Sequence, residues 1–146
     1  MSASSMLFGA ALGAIAASVL LSTSARCEVQ YIGYAYVHDG DTLRIANQSF
    51  RLYGIDAPEL TEQHGIEARN MLRDIIREQQ VLCTPTGERS YKRLVAMCAT
   101  PIYSDLGAEL VRRGAALDCA RYSHGQYRAL EPMHVRDKIE QKRYCK

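Results

Sequence analysis

The sequence lacks several of the patterns by which a function is commonly recognised. It contains no internal repeat, no low-complexity segment and no Cys-x-x-Cys pair, and its four histidines are scattered, which argues against a structural zinc site. The net charge is only +2 at pH 7, so composition alone does not indicate nucleic-acid binding. At 146 residues, 47% hydrophobic and 23% charged, the chain fits one globular domain.

Charge is also missing from the N-terminal segment. The first 25 residues contain no Asp, Glu, Lys or Arg, and residues 6–21 are small or apolar. This run is shorter than the roughly 20 residues that span a bilayer, and it ends in Thr23-Ser24-Ala25, which suits signal peptidase. We therefore expect residues 1–25 to be a signal peptide and residues 26–146 to be a single secreted or periplasmic domain. The alternative is an uncleaved anchor that holds the domain at a membrane, within an oxidising compartment.

The five cysteines fit such a compartment, where disulfides persist. Cys83 and Cys98 lie in two apolar runs that could be adjacent antiparallel strands, so we expect them to pair. Cys119 and Cys145 would then form a second disulfide that links the terminal segment to the rest of the domain. Cys27 is the fifth cysteine and has no assigned partner. The alternative is a set of reduced cysteines in the core.

The hydrophobic pattern changes period along the chain. Alternation over residues 31–37, a break at Asp39-Gly40 and resumption over 42–45 predict a hairpin, followed by strands over 50–53, 81–84 and 94–99. The last two strands are expected to be linked by a polar loop that contains Pro85, Gly87 and Ser90. Helical spacing is found over about 65–77, over 105–113 and, more weakly, over 133–142. Five short strands with about three helices predict an α+β fold, a five-stranded β-barrel of the oligonucleotide-binding (OB) type.

Two segments carry the residues with catalytic potential. Asp41 follows the first turn and Asp56 follows the third strand, so the two carboxylates could converge into an oxygen site suited to Ca²⁺ or Mg²⁺. Arg51 and Arg93 lie at predicted strand ends and could grip phosphate oxygens. Glu59 could accept a proton from attacking water. Each residue alone has an ordinary alternative, such as a turn carboxylate or a surface salt bridge.

Together these residues resemble a known family. Four runs, in order and at suitable separation, are similar to the thermonuclease (staphylococcal-nuclease-like) family: Asp39-Gly40-Asp41-Thr42, Arg51-Leu52-Tyr53-Gly54-Ile55-Asp56-Ala57-Pro58-Glu59, Tyr91-Lys92-Arg93-Leu94-Val95-Ala96 and Leu110-Val111-Arg112-Arg113-Gly114. The similarity spans about residues 37–116. It implies an OB-type barrel with three helices and Ca²⁺-dependent hydrolysis of DNA and/or RNA that leaves 3′-phosphates.

The resemblance also implies a role for each matching residue. Arg51, Glu59 and Arg93 would be catalytic. Asp41 and Asp56 would bind the metal through their carboxylates, and Ala57 would bind it through its main-chain carbonyl. Asp39 would form a hydrogen bond to metal-bound water. Tyr91 and Tyr122 would contact the substrate, by bonding phosphate or by stacking on bases.

Two other functions are compatible with part of the sequence pattern. The first alternative is a non-catalytic nucleic-acid-binding or scaffold domain of the same OB type. Such a domain would be expected to have lost the carboxylates of the site. A disulfide-stapled adhesion domain is the second, and it leaves the convergence of five polar residues unexplained. We expect a monomeric nuclease that contacts a membrane only if residues 1–25 remain attached.

Overall fold

The computed structural model describes residues 28–146, so the expected signal peptide and Cys27 lie outside the described residues. Its elements are, in chain order, β1 (Tyr31–Gly33), β2 (Ala35–Val37), β3 (Thr42–Ile45), β4 (Gln48–Leu52), β5 (Ile55–Asp56), α1 (Gly65–Ile75), β6 (Val81–Ser90), β7 (Arg93–Ala99), α2 (Leu106–Arg112), β8 (Leu117–Asp118), α3 (Ala120–Ser123) and α4 (Val135–Lys138). Short 3₁₀ turns cover Arg128–Leu130 and Arg143–Cys145.

Six strands form the main sheet, in the order β1-β6-β7-β4-β3-β2. All neighbours are antiparallel except β4 and β7, which run parallel with Arg51 opposite Val95. The first expected strand is two strands, because the chain is interrupted at Tyr34 and its halves pair with different neighbours, β1 with β6 and β2 with β3. The α+β fold of OB type is confirmed, although six strands replace the expected five and no ladder within residues 28–146 closes the sheet into a barrel.

The sheet and the helices enclose one main core. Alternate residues of β3 and β4, among them Leu43 and Phe50, are completely buried. The apolar face of α1 contributes Ala68, Leu72 and Ile75 to the same core, as the helical period predicts. At the start of α2, the Asp105 carboxylate accepts a hydrogen bond from the Ala108 N–H at 3.0 Å and so caps the helix.

The structure differs from the sequence prediction in several further elements. The segment expected as a polar loop continues β6 as far as Ser90, with an irregular register between Pro85 and Arg89, the kind of position at which a sheet tolerates proline. The expected last helix is confined to Val135–Lys138, because Ile139 adopts an extended conformation. α3 and the two-stranded β5–β8 sheet were not predicted, and the helices within residues 28–146 number four instead of three.

Within residues 28–146 the structure has two disulfides, with the predicted pairing. Cys83 of β6 is bonded to Cys98 of β7, its cross-strand neighbour in the ladder. Cys119, just before α3, is bonded to Cys145 near the end of the chain. Two such bonds indicate an oxidising compartment. No helix among residues 28–146 is long and apolar enough to cross a membrane.

Candidate active site

The turn between β2 and β3 fixes the first predicted carboxylate. The main chain of this turn closes through a bond from the His38 N–H to the Thr42 carbonyl at 2.9 Å. The Asp39 carboxylate accepts the Asp41 N–H at 3.1 Å. Gly40 packs so closely against α1 that a Cβ would lie 2.8 Å from the Cβ of Ala68. The turn is therefore held against the helix, and the Asp41 side chain is directed inward, only 4% of the residue being exposed.

Arg51 lies beside this carboxylate. It is on β4 directly opposite Thr42 of β3, and its Nη1 is 2.6 Å from Asp41 Oδ2. Its other terminal nitrogen donates to the Ile55 carbonyl at 3.4 Å. Burial, together with the nearby Asp39 carboxylate, raises the pKa of Asp41 to about 7, although Arg51 acts in the opposite direction. The site therefore contains a buried carboxylate whose negative charge one arginine does not fully compensate.

Arg93 approaches the same carboxylate from β7. Its Nη1 donates to Thr42 Oγ1 at 2.7 Å and lies 4.0 Å from Asp41 Oδ1, while Nη2 donates to Ser90 Oγ at 3.1 Å. Arg93 at the start of β7 and Arg51 near the end of β4 therefore reach one place, across two strands that run parallel. The structure thus brings two guanidinium groups to Asp41.

The second predicted carboxylate lies where β5 ends. Asp56 is 2% exposed and pairs with Leu117 of β8. Its Oδ2 accepts the main-chain N–H of Lys142 at 2.9 Å, and the Tyr144 hydroxyl is 3.5 Å from its Oδ1. Burial raises the pKa of Asp56, against the lowering effect of the Lys142 N–H and of Arg51. Ala57 follows, also buried.

Glu59 stands on the loop that leads from Asp56 into α1, and it is exposed. The loop is packed tightly onto the helix, since a Cβ on Gly65 would lie 1.9 Å from the Glu59 carbonyl oxygen. The Glu59 N–H also donates to Glu62 Oε2 at 2.9 Å. The main chain at Glu59 is therefore fixed while its carboxylate reaches solvent.

Some of the residues described above border a cleft of about 370 Å³. Five of the predicted residues line it: Arg51, Glu59, Tyr91, Arg93 and Tyr122. Tyr91 occupies the turn between β6 and β7 with a left-handed main chain and is 94% exposed, so its ring is free to meet a ligand. The predicted metal ligands Asp41, Asp56 and Ala57 are buried and do not line the cleft, and neither does Asp39.

The cleft also contains residues that the sequence did not identify. Tyr144 lines it and approaches Asp56, and Glu88, Arg89 and Ser90 contribute the wall formed by the end of β6. The one signal for Tyr144 was its position beside Cys145, whose predicted bond to Cys119 brings the end of the chain to α3. No local pattern marked the other three, because this stretch of β6 was expected to be a loop.

The oxygen donors fit a hard cation. Asp41 and Asp56 are buried carboxylates with raised pKa values, and both raise the pKa of Arg51, so a bound cation at either carboxylate would relieve the cost of keeping it ionised. Carboxylates, a main-chain carbonyl and water are the ligands of Ca²⁺ and Mg²⁺. Within residues 28–146 no three acidic, histidine or cysteine side chains are grouped so as to hold a metal alone. A metal here would depend on main-chain carbonyl and water ligands as well.

Comparison with known proteins identifies the family. A sequence model described as "Staphylococcal nuclease homologue" matches residues 49–143. A Rhizobium meliloti (strain 1021) protein named "Succinoglycan biosynthesis protein ExoI" is 30% identical, over 80% of this chain and 66% of its own. An "Uncharacterized endonuclease" of Haemophilus influenzae is 31% identical, over 60% of this chain and 52% of its own. This chain thus spans about two thirds and about half of the two relatives. The protein belongs to the staphylococcal nuclease homologue family.

Proposed function

We propose that this protein is a Ca²⁺-dependent nuclease that hydrolyses phosphodiester bonds of DNA and/or RNA and leaves 3′-phosphates. The family and the relative named as an endonuclease support nuclease activity in general. The observation that carries the proposal is the cleft, which Arg51, Arg93 and Glu59 all line, with Arg51 also in contact with the buried carboxylate of Asp41. Such a combination of cationic forks, an exposed carboxylate and a candidate cation site suits attack of water on a phosphodiester.

The arginines would bind and stabilise the phosphate. A guanidinium presents several N–H donors in a plane and can bind two phosphate oxygens at once. Arg51 keeps part of its donor capacity after bonding Asp41, and Arg93 is held by Thr42 and Ser90, so both are oriented before a substrate arrives. Donors that are fixed in advance stabilise the additional charge of the five-coordinate phosphorus without reorganisation.

Glu59 would act as the base. Its exposed carboxylate borders the same cleft as the arginines, and its main chain is fixed by Glu62 and Gly65. It would take a proton from water as the water oxygen bonds to phosphorus. The bond from phosphorus to the 5′ oxygen then breaks, and that oxygen takes up a proton, which leaves a 3′-phosphate and a 5′-hydroxyl.

Asp41, Asp56 and the Ala57 carbonyl would hold the metal, with Asp39 on a metal-bound water. When bound, Ca²⁺ would supply positive charge that stabilises the negative phosphate oxygens. Tyr91 lines the cleft from the β6–β7 turn, and Tyr122 lines it from α3. Both would contact the substrate by stacking or by bonding phosphate.

The proposed context is a monomer whose single domain, residues 26–146, is exported after removal of residues 1–25. The two disulfides support export, since they persist in oxidising compartments. The N-terminal sequence of the protein recovered from cells would test the cleavage, and its mass in solution would test the monomer.

The main test is cleavage of single-stranded DNA and RNA by the purified protein with Ca²⁺ and with a chelator. We expect cleavage with Ca²⁺ only. Equal rates in both conditions would contradict the metal requirement, and binding without cleavage would favour the non-catalytic alternative.

Two matched pairs of variants test the catalytic roles. Arg51→Lys and Glu59→Gln should each raise the barrier by about 2.7–4 kcal/mol, or roughly 10²–10³-fold in kcat, by analogy with the loss of one oxyanion donor. Arg77→Lys and Glu78→Gln make the same chemical changes at exposed residues that do not line the cleft, and should cut normally. Near-normal kcat in either cleft variant would contradict the role given to that residue.

A further inference from the structure

The C-terminal segment, residues 139–146, lies against the buried carboxylate at the end of β5. The Lys142 main-chain N–H donates to Asp56 Oδ2 at 2.9 Å, and the Tyr144 hydroxyl stands 3.5 Å from Oδ1. Asp56 is 2% exposed, and a buried carboxylate needs such donors. Both oxygens of one carboxylate are therefore met by a segment more than eighty residues further along the chain.

The same segment reaches the loop that carries Glu59. Lys142 Nζ forms an ion pair with Glu62 Oε1. The other oxygen of that carboxylate, Glu62 Oε2, accepts the Glu59 N–H at 2.9 Å. Lys142 thus makes two contacts with the site. Its main-chain N–H bonds Asp56 directly, and its side chain bonds Glu62, which in turn holds the main chain of Glu59.

Two anchors keep the segment in place. Gln141 Nε2 donates to the Asp118 carbonyl at 2.7 Å, on the strand β8 that pairs with β5. The Cys119–Cys145 disulfide fixes the residue after Tyr144 to the start of α3. The contacts to Asp56 therefore lie between two fixed points.

We propose that Lys142 and Tyr144 are positioning residues of the nuclease site. Lys142 orients the Asp56 carboxylate and steadies the Glu59 loop, and Tyr144 supports Asp56 from the cleft side. This inference rests on the proposed function, because it assigns Asp56 to the metal and Glu59 to the water. Each carboxylate oxygen has two lone pairs, so bonding from the segment leaves a lone pair of each free for a cation. Partners of this outer kind typically change metal affinity or activity by 10–100-fold.

Two substitutions at one residue separate the main-chain contact from the side-chain contact. Lys142→Ala removes Nζ and keeps the N–H, whereas Lys142→Pro removes both. The main chain of Lys142 has φ −61° and ψ 144°, a conformation that proline adopts without strain. The comparison between the two variants therefore isolates the hydrogen bond to Asp56.

Ca²⁺ binding to the full-length protein, measured by calorimetry without substrate, is the first readout. We expect Lys142→Pro to bind Ca²⁺ about 10–100-fold more weakly than Lys142→Ala, whose affinity should remain close to that of the wild type. In cleavage assays at saturating Ca²⁺, Lys142→Ala should lower kcat with little change in KM, since it acts on the Glu59 loop. Equal Ca²⁺ affinity in the two variants would overturn the proposal.

Tyr144→Phe provides a second route if the proline variant does not fold. Tyr144 is 42% exposed, so loss of its hydroxyl should leave the fold intact. Its Ca²⁺ affinity should fall in the same direction as in Lys142→Pro, by a smaller factor, and an unchanged affinity would contradict the role of Tyr144. A wild-type protein that neither binds Ca²⁺ nor cuts would instead overturn the proposed function. A wild type that does both, with unaffected variants, would overturn only the role of the segment.

Discussion

Replacing Arg51 with Met should destabilise the fold through the carboxylate that it leaves behind. Arg51 Nη1 lies 2.6 Å from Asp41 Oδ2, and both side chains are largely buried. Methionine fills a similar volume without charge. Arg93, at 4.0 Å from Asp41 Oδ1, is too distant to replace the lost contact fully. Asp41 would then be a buried charge with insufficient compensation.

Breaking a buried pair can cost about 3–5 kcal/mol, but Asp41 can limit the cost here by taking up a proton. The loss should depend on pH, because burial raises the pKa of Asp41 to about 7 even with Arg51 present. At pH 8 the wild-type Asp41 is mainly ionised, and the loss should exceed the loss at pH 5 by up to about 1.4 kcal/mol, the free energy of keeping Asp41 protonated in the variant. At pH 5 the side chain is protonated in both proteins, and the loss should shrink to the smaller contribution of packing.

The assay is urea unfolding in chelator at both pH values, for the wild type, Arg51→Met, Asp41→Asn and the double variant. Asp41→Asn/Arg51→Met contains no uncompensated charge and should recover most of the stability at pH 8, since uncharged replacements of buried pairs are often neutral. Equal losses for Arg51→Met at the two pH values would refute the reasoning. So would a double variant as unstable as Arg51→Met.

Three further perturbations test other parts of the structure. Removing the second disulfide with Cys119→Ser/Cys145→Ser should cost about 3.5 kcal/mol, from the entropy of a loop with sequence separation 26, and an unchanged urea midpoint would contradict this. In chelator, the contribution of Asp41 to stability, measured as wild type minus Asp41→Asn, should fall by on the order of 4 kcal/mol as pH rises from about 4 to 7, because Asp41 has a folded pKa raised from 3.8 to about 7 and the native state therefore binds the extra proton. Ca²⁺ should reverse that loss, and a flat pH profile in chelator would count against it. Tyr127→Phe should destabilise the protein by about 1–3 kcal/mol in thermal unfolding, because the hydroxyl donates to Asp105 at 2.9 Å, and stability equal to the wild type would show that this bond contributes nothing.

The sequence predicted the parts of the candidate site that depend on local structure. Asp41 follows a turn with a recognisable Asp-Gly signal, and Arg51 lies on the strand β4 that pairs with β3 after this turn, so the contact between them follows from a meander. The cross-strand pair Cys83–Cys98 was predictable because it joins adjacent strands of a hairpin.

The parts that the sequence did not predict depend on distant contacts. Ile139 is buried beside Leu117 and Val135, and its extended main chain ends the expected helix early, which no local periodicity reveals. The contact between Lys142 and Asp56 is made by a main-chain N–H, which every residue except proline carries and which therefore leaves no mark in the sequence.

The parallel pairing of β4 with β7 has a consequence for how the protein folds. The segment between these strands contains β5, α1 and β6, so the pairing of Phe50, Arg51 and Leu52 with residues 94–96 closes a long loop. Contacts of this kind form slowly, because chain entropy is lost before they contribute stability. Arg51 and Arg93 meet only after this event. In a refolding experiment, the hairpins and α1 should therefore gain structure before cleavage activity returns, and the delay between the two signals would measure the closure of this ladder.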